Sequence, residues 1–104
     1  MKVWVATYET CHEDVGGEFR MHGVIGVYRN MDNAARAVQD VMCRIFNKEL
    51  SSCIESEDDR SPITPEDLSS ELFDNSNGVS YEYSRNFNYD YILVSGSVQA
   101  EEVR

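Results

Sequence analysis

The feature of this chain that most restricts its fold is a change of hydrophobic period at Asn30. Before it, residues 2 to 8 and 19 to 28 alternate apolar positions and are rich in β-branched and aromatic side chains, which is typical of strands. After it, apolar residues recur at helical spacing: Met31, Ala34, Ala35, Val38, Val41, Met42, Ile45 and Phe46. Strands followed by one long amphipathic helix predict an α+β fold in which the helix covers a sheet.

The boundaries of these elements follow from local signals. We predict a helix from Met31 to Phe46 with Asn30 or Asp32 as its N-cap, because short polar side chains accept hydrogen bonds from free amides of the first turn. The polar stretch from Glu9 to Glu18 contains two consecutive glycines and predicts a long loop between the first two strands.

The second half of the chain predicts a short helix and two further strands. Thr64 and Pro65 are a typical N-cap and first-turn residue, which predicts a short helix ending at about Phe73. Alternation then returns from Val79 and again from Tyr89, whereas the tail from Ser97 to Arg104 is polar enough to fray. The full prediction is one domain over residues 1–104, with a mostly antiparallel four-stranded sheet, one long amphipathic helix on one face and a short second helix, in the order β-β-α-α-β-β.

Charge is distributed unevenly along the chain. The formal net charge is −10, yet the first 48 residues hold equal numbers of acids and bases. The segment from residue 49 to residue 74 is an acidic insertion with Arg60 as its one base. Such a balance repels phosphate backbones and anionic lipids, so the composition disfavours direct binding of nucleic acid or membranes.

We predict that the acidic insertion binds a basic partner, because the electrostatics that attract phosphate to a basic groove also attract carboxylates. A solvated, solubilising face is the alternative reading of the same charges, and the order of ligands does not fit a calcium loop. The predicted partner-binding residues are Glu55, Glu57, Asp58, Asp59, Glu66, Asp67 and Glu71.

The cysteines and histidines offer a different chemistry. Cys11, His12 and His22 are residue types that bind zinc, but their spacing matches no zinc pattern. Adjacent Cys11 and His12 on an extended chain would point to opposite faces, which argues against a nucleophile and base pair. Three cysteines without CxxC spacing predict free thiols in a reducing cytoplasm. We therefore predict no catalytic residue, no metal and no cofactor.

The segments KVWVATYE and VIGVYRNMDNAARAV resemble small orphan proteins encoded by bacteriophages and prophages. The resemblance covers about residues 2 to 46 and implies a phage-encoded accessory protein that acts on its host. No catalytic residue belongs to this pattern, so the resemblance transfers no site. The acidic composition is also similar to that of anti-CRISPR proteins and DNA mimics as a class.

These observations together predict a non-enzymatic inhibitor in the cytoplasm of a host cell. Its expected partner is a basic, nucleic-acid-handling host protein, for example a subunit of a CRISPR effector, and the sequence leaves a homodimer open. The alternative is a small metal-dependent protein or enzyme that uses the loop containing Cys11, His12 and His22.

Overall fold

The computed structural model describes residues 1–53, 60–73 and 77–103. Its elements in chain order are β1 (Lys2–Asp14), β2 (Gly17–Tyr28), α1 (Met31–Leu50), a 3₁₀ turn (Pro65–Asp67), β3 (Ser69–Leu72), β4 (Gly78–Asn86) and β5 (Tyr91–Glu102).

The strands form one sheet in the order β2-β1-β5-β4-β3, and every neighbouring pair is antiparallel. The centre of the sheet therefore joins the strands farthest apart in sequence, with Lys2 opposite Glu102. The long strand β2 forms one edge and the short strand β3 forms the other.

The helix α1 packs across one side of this sheet, which we call the helix face. Its buried stripe of Ala34, Val38, Met42 and Phe46 covers apolar residues of the central strands: Ala6, Ile92, Val94 and Val98. The Phe46 ring meets the Tyr83 ring edge to face with centroids 5.0 Å apart. The opposite side of the sheet carries no helix among the described residues, and we call it the open face.

The α+β class with an antiparallel sheet and a long helix is confirmed, but the predicted count of four strands is wrong, since the sheet has five. The short second helix is also wrong. Thr64 and Asp67 form a capping box around a single 3₁₀ turn, and Leu68 is already extended. Ser69 to Leu72 then pair with β4, because an edge position beside β4 satisfies their backbone groups.

Both long strands of the first hairpin continue through the predicted loop. β1 extends to Asp14 and β2 starts at Gly17, whose φ of 138° is a conformation that favours glycine. Polar residues suit this part of β1 because Glu9 and Glu13 are solvent-exposed on the open face, while His12 packs on the helix face.

The C-terminal tail and the helix also differ from the prediction in where they end. The tail predicted to fray is the second half of β5, held by pairing with β1. The helix has 20 residues and extends to Leu50, and the predicted N-cap Asn30 accepts a hydrogen bond from the Asn33 amide at 2.8 Å. Within the described residues, no helix is both long enough and apolar enough to cross a bilayer.

Candidate functional site

The open face of the sheet is concave and forms a groove of about 640 Å³ to which all five strands contribute. Small hydroxyl residues make its floor, so the backbone lies deep below the rim. Thr7 of β1 and Ser97 of β5 share a hydrogen bond of 3.0 Å between their hydroxyl oxygens. The other hydroxyl side chains that face this groove are those of Ser69, Ser80 and Ser95.

Carboxylates flank this floor on both sides. The strand register places Ser95 of β5 directly between Glu9 of β1 and Glu82 of β4. Glu71 of β3 pairs with Ser80 of β4, two residues along β4 from Glu82. Neighbouring strands lie about 4.8 Å apart, so the backbones of Glu9 and Glu82 are separated by about 10 Å across the groove. The described residues that line this groove, which we call the acidic groove, include no Lys or Arg.

The predicted partner-binding residues fall in three places. Glu71 lines the acidic groove, and Glu66 and Asp67 are exposed in the 3₁₀ turn that precedes β3. The other four, Glu55, Glu57, Asp58 and Asp59, lie outside the described residues. Sequence reasoning missed Glu9 and Glu82, because neither belongs to a charge run and only strand register brings them to the same groove.

A second cluster is buried at the end of the helix face, where β1, the last turn of α1 and the β4–β5 connection meet. The ring of His12 lies between two carboxylates, with Nδ1 at 2.8 Å from Glu49 Oε2 and Nε2 at 2.7 Å from Asp90 Oδ1. The thiol of Cys53 joins them, and the ligand atoms of His12, Cys53 and Asp90 all lie within 4.8 Å of one another. His12, Cys53 and Asp90 are each less than a tenth exposed.

The two carboxylates determine the protonation of His12. Burial alone lowers the pKa of an imidazole, but the hydrogen bonds and charges of Glu49 and Asp90 outweigh it and raise the pKa of His12 above its ordinary value. A protonated ring donates from both nitrogens, which matches the two carboxylate oxygens on either side of it. His12 in this state has no free lone pair with which to act as a general base.

The structure separates His12 from the other two residues of the alternative metal or enzyme hypothesis, Cys11 and His22. Cys11 and His12 point to opposite faces of β1, as predicted, and His22 lies on the open face beside Glu9. Cys11 instead lies near Glu13 and Glu18, and burial together with these acids raises the pKa of its thiol. The expected free thiols are confirmed, since none of the three cysteines is bridged.

Comparison with protein-family models, with curated proteins and with solved structures found no match to this chain. The resemblance to phage orphan proteins therefore stays a prediction, and the function is inferred from the chemistry of the acidic groove and the buried cluster.

Proposed function

We propose that the protein is a non-enzymatic binding protein that holds a Lys- or Arg-rich segment of a partner protein in the acidic groove. The observation that carries this proposal is the placement of Ser95 between Glu9 and Glu82. A cationic side chain above Ser95 would meet a carboxylate on each side and hydroxyl acceptors below. Charge-assisted hydrogen bonds of this type are stronger than neutral ones.

The net charge extends the same attraction over distance. A net charge of −10 gives the whole surface a potential that steers basic partners toward it, with a screening length of about 8 Å at physiological ionic strength. Occupation of a basic nucleic-acid-binding surface by these carboxylates would exclude nucleic acid from it. The proposed partner is therefore a nucleic-acid-handling protein, and inhibition of the anti-CRISPR type is one instance of this function.

The test uses a fluorescently labelled Arg-rich peptide and a matched peptide with Gln in place of Arg. We expect the Arg-rich peptide to bind with an affinity that falls as salt increases, and the Gln peptide not to bind. Glu9→Gln with Glu82→Gln removes two ion pairs of about 0.2–1 kcal/mol each, so affinity should fall about 2- to 30-fold.

A control variant separates the groove from net charge. Asp32→Asn with Asp40→Asn removes the same charge from exposed positions on α1, on the other side of the sheet. This variant should retain most of the affinity. An equal loss in both variants would mean that the peptide senses net charge only and would refute the groove as the binding site.

The acidic insertion is tested in the same assay. Neutralising Glu57, Asp58 and Asp59 together should slow association of the peptide through weaker steering, with little change in its dissociation rate. If this triple variant abolishes binding while Glu9→Gln with Glu82→Gln does not, the binding residues are those of the insertion and the acidic groove is not the site.

A further inference from the structure

The buried cluster contains a complete set of donors for a transition metal. A thiol, an imidazole and a carboxylate come from Cys53, His12 and Asp90, and these are the three types of protein ligand that Zn²⁺ accepts. Their ligand atoms already lie within 4.8 Å of one another. Ligand atoms around a tetrahedral Zn²⁺ ion with bonds of about 2.0–2.3 Å lie about 3.3–3.8 Å from one another. This spacing falls between the 2.7 Å that separates His12 Nε2 from Asp90 Oδ1 and the 4.8 Å limit of the cluster, so small side-chain shifts would suffice.

Glu49 supplies the feature that accompanies histidine ligands in metal sites. A metal-bound imidazole usually donates its other ring N–H to a carboxylate, which fixes the tautomer and the ring orientation. Glu49 Oε2 accepts from Nδ1 at 2.8 Å, so Nε2 is the nitrogen directed toward Asp90 and available for coordination.

We propose that His12 Nε2, Cys53 Sγ and a carboxylate oxygen of Asp90 bind one Zn²⁺ ion, with Glu49 as a positioning residue. Two protons leave to solvent on binding, one from the Cys53 thiol and one from the His12 Nε2–H. The thiolate and the Asp90 carboxylate then neutralise the charge of the ion, which suits a buried location. Three ligands from the described part of the chain leave a fourth position for water or another donor.

The site is buried but has a route to solvent. A cleft of about 530 Å³ opens beside it, between the β1–β2 turn and the end of α1, and both His12 and Glu49 line this cleft. This proposal is independent of peptide binding in the acidic groove, which lies on the opposite face of the sheet.

The test titrates the metal-free full chain with Co²⁺ as a spectroscopic substitute for Zn²⁺. We expect saturation at one equivalent, with visible absorption of a tetrahedral ion and a near-ultraviolet charge-transfer band from thiolate to cobalt. Added Zn²⁺ should displace Co²⁺ and remove both signals. Absence of the charge-transfer band in the wild-type protein would overturn the proposal.

Matched variants identify the ligands. Cys53→Ser should abolish the charge-transfer band and His12→Gln should abolish stoichiometric binding, whereas Cys11→Ser and His22→Gln should leave both unchanged. The reverse pattern would assign the ion to the open face. Glu49→Gln should weaken affinity about 10- to 100-fold without removing the band.

A measurement on the wild-type protein covers the case in which Cys53→Ser does not fold. Under native conditions Zn²⁺ should protect Cys53 from alkylation, located by mass spectrometry, while the labelling of Cys11 stays the same. Equal labelling of Cys53 with and without Zn²⁺ would refute its role as a ligand.

Discussion

Gly96 lies directly beneath Val38 and Met42 of α1, and replacing it with alanine should destabilise the fold. A methyl group there would clash with the Cγ1 atom of Val38 and lie 3.0 Å from the Met42 sulfur and 3.2 Å from the Thr7 carbonyl oxygen. Val38 and Met42 are at most 1% exposed, so they have no space into which to move. Overpacking of this kind costs about 1–3 kcal/mol.

Part of this cost is offset in the unfolded state. Alanine has less backbone freedom than glycine, which stabilises a protein by about 0.4–1 kcal/mol where the native conformation allows it. The net loss for Gly96→Ala should be about 1–2 kcal/mol, or a melting temperature lower by about 4–16 °C for a domain of this size. Gly26→Ala is the matched control, because a methyl group at that strand position meets only the Tyr28 side chain, at 3.2 Å.

A double-mutant cycle with Val38→Ala tests the mechanism. Removing the two Val38 methyl groups alone should cost about 2–3 kcal/mol. In the double variant the new methyl group occupies the space that the Val38 methyl groups leave. The loss of stability in the double variant should therefore be smaller than the sum of the two single losses by about 1–3 kcal/mol. Urea unfolding monitored by circular dichroism measures all four proteins. Additive losses, or an unchanged melting temperature for Gly96→Ala, would refute tight packing at this position.

Three further predictions concern α1. Asn30→Ala removes the N-cap bond and should lower the free energy of unfolding by about 0.5–2 kcal/mol in urea titrations; an unchanged midpoint would contradict the cap. Phe46→Ala should lower the free energy of unfolding by about 3–5 kcal/mol. Ile45→Ala should cost less because the Ile45 side chain is only half-buried, and equal losses would contradict this difference in burial. Burial, Asp40 and Asp67 raise the pKa of the Cys43 thiol, so its thiolate fraction at pH 8 is reduced. Iodoacetamide should alkylate native Cys43 more slowly than a free thiol, and equal rates would exclude the shift.

The elements that the sequence predicts well are those with a strong local signal. The helix has a long apolar repeat and a capping residue, so its start at Met31 and its N-cap Asn30 could be predicted without tertiary information. The first strand was equally clear in its apolar half, from Val3 to Tyr8.

The elements that the sequence predicted wrongly depend on distant partners. The polar half of β1 from Glu9 to Asp14 and the second half of β5 show no apolar alternation. The first pairs with the start of β5, and the second pairs with the apolar half of β1, so each is held by a strand from the other end of the chain. Ser69 to Leu72 follow a true N-cap signal, but pairing with β4 overrides a weak helical tendency. Local propensity alone cannot predict these strand pairings.

The candidate sites show the same limit. His12 was recognised as a potential ligand, but its neighbours in sequence point away from it. Its actual partners come from two other parts of the chain: Glu49 and Cys53 from the end of α1, and Asp90 from the β4–β5 connection. Likewise, the charge run could suggest an acidic surface, whereas Glu9 and Glu82 become neighbours only through the order of the strands.

The pairing of β1 with β5 at the centre of the sheet has a consequence for biosynthesis. At a translation rate of about 5–20 residues per second, β5 is synthesised on the order of ten seconds after β1, with which it pairs. The β1–β2 hairpin and α1 are synthesised earlier and can associate, but the side of β1 that later pairs with β5 stays an open template. The nascent chain is therefore exposed to misassembly with neighbouring copies until β5 has been synthesised, and pairing between strands so far apart in sequence favours slow folding.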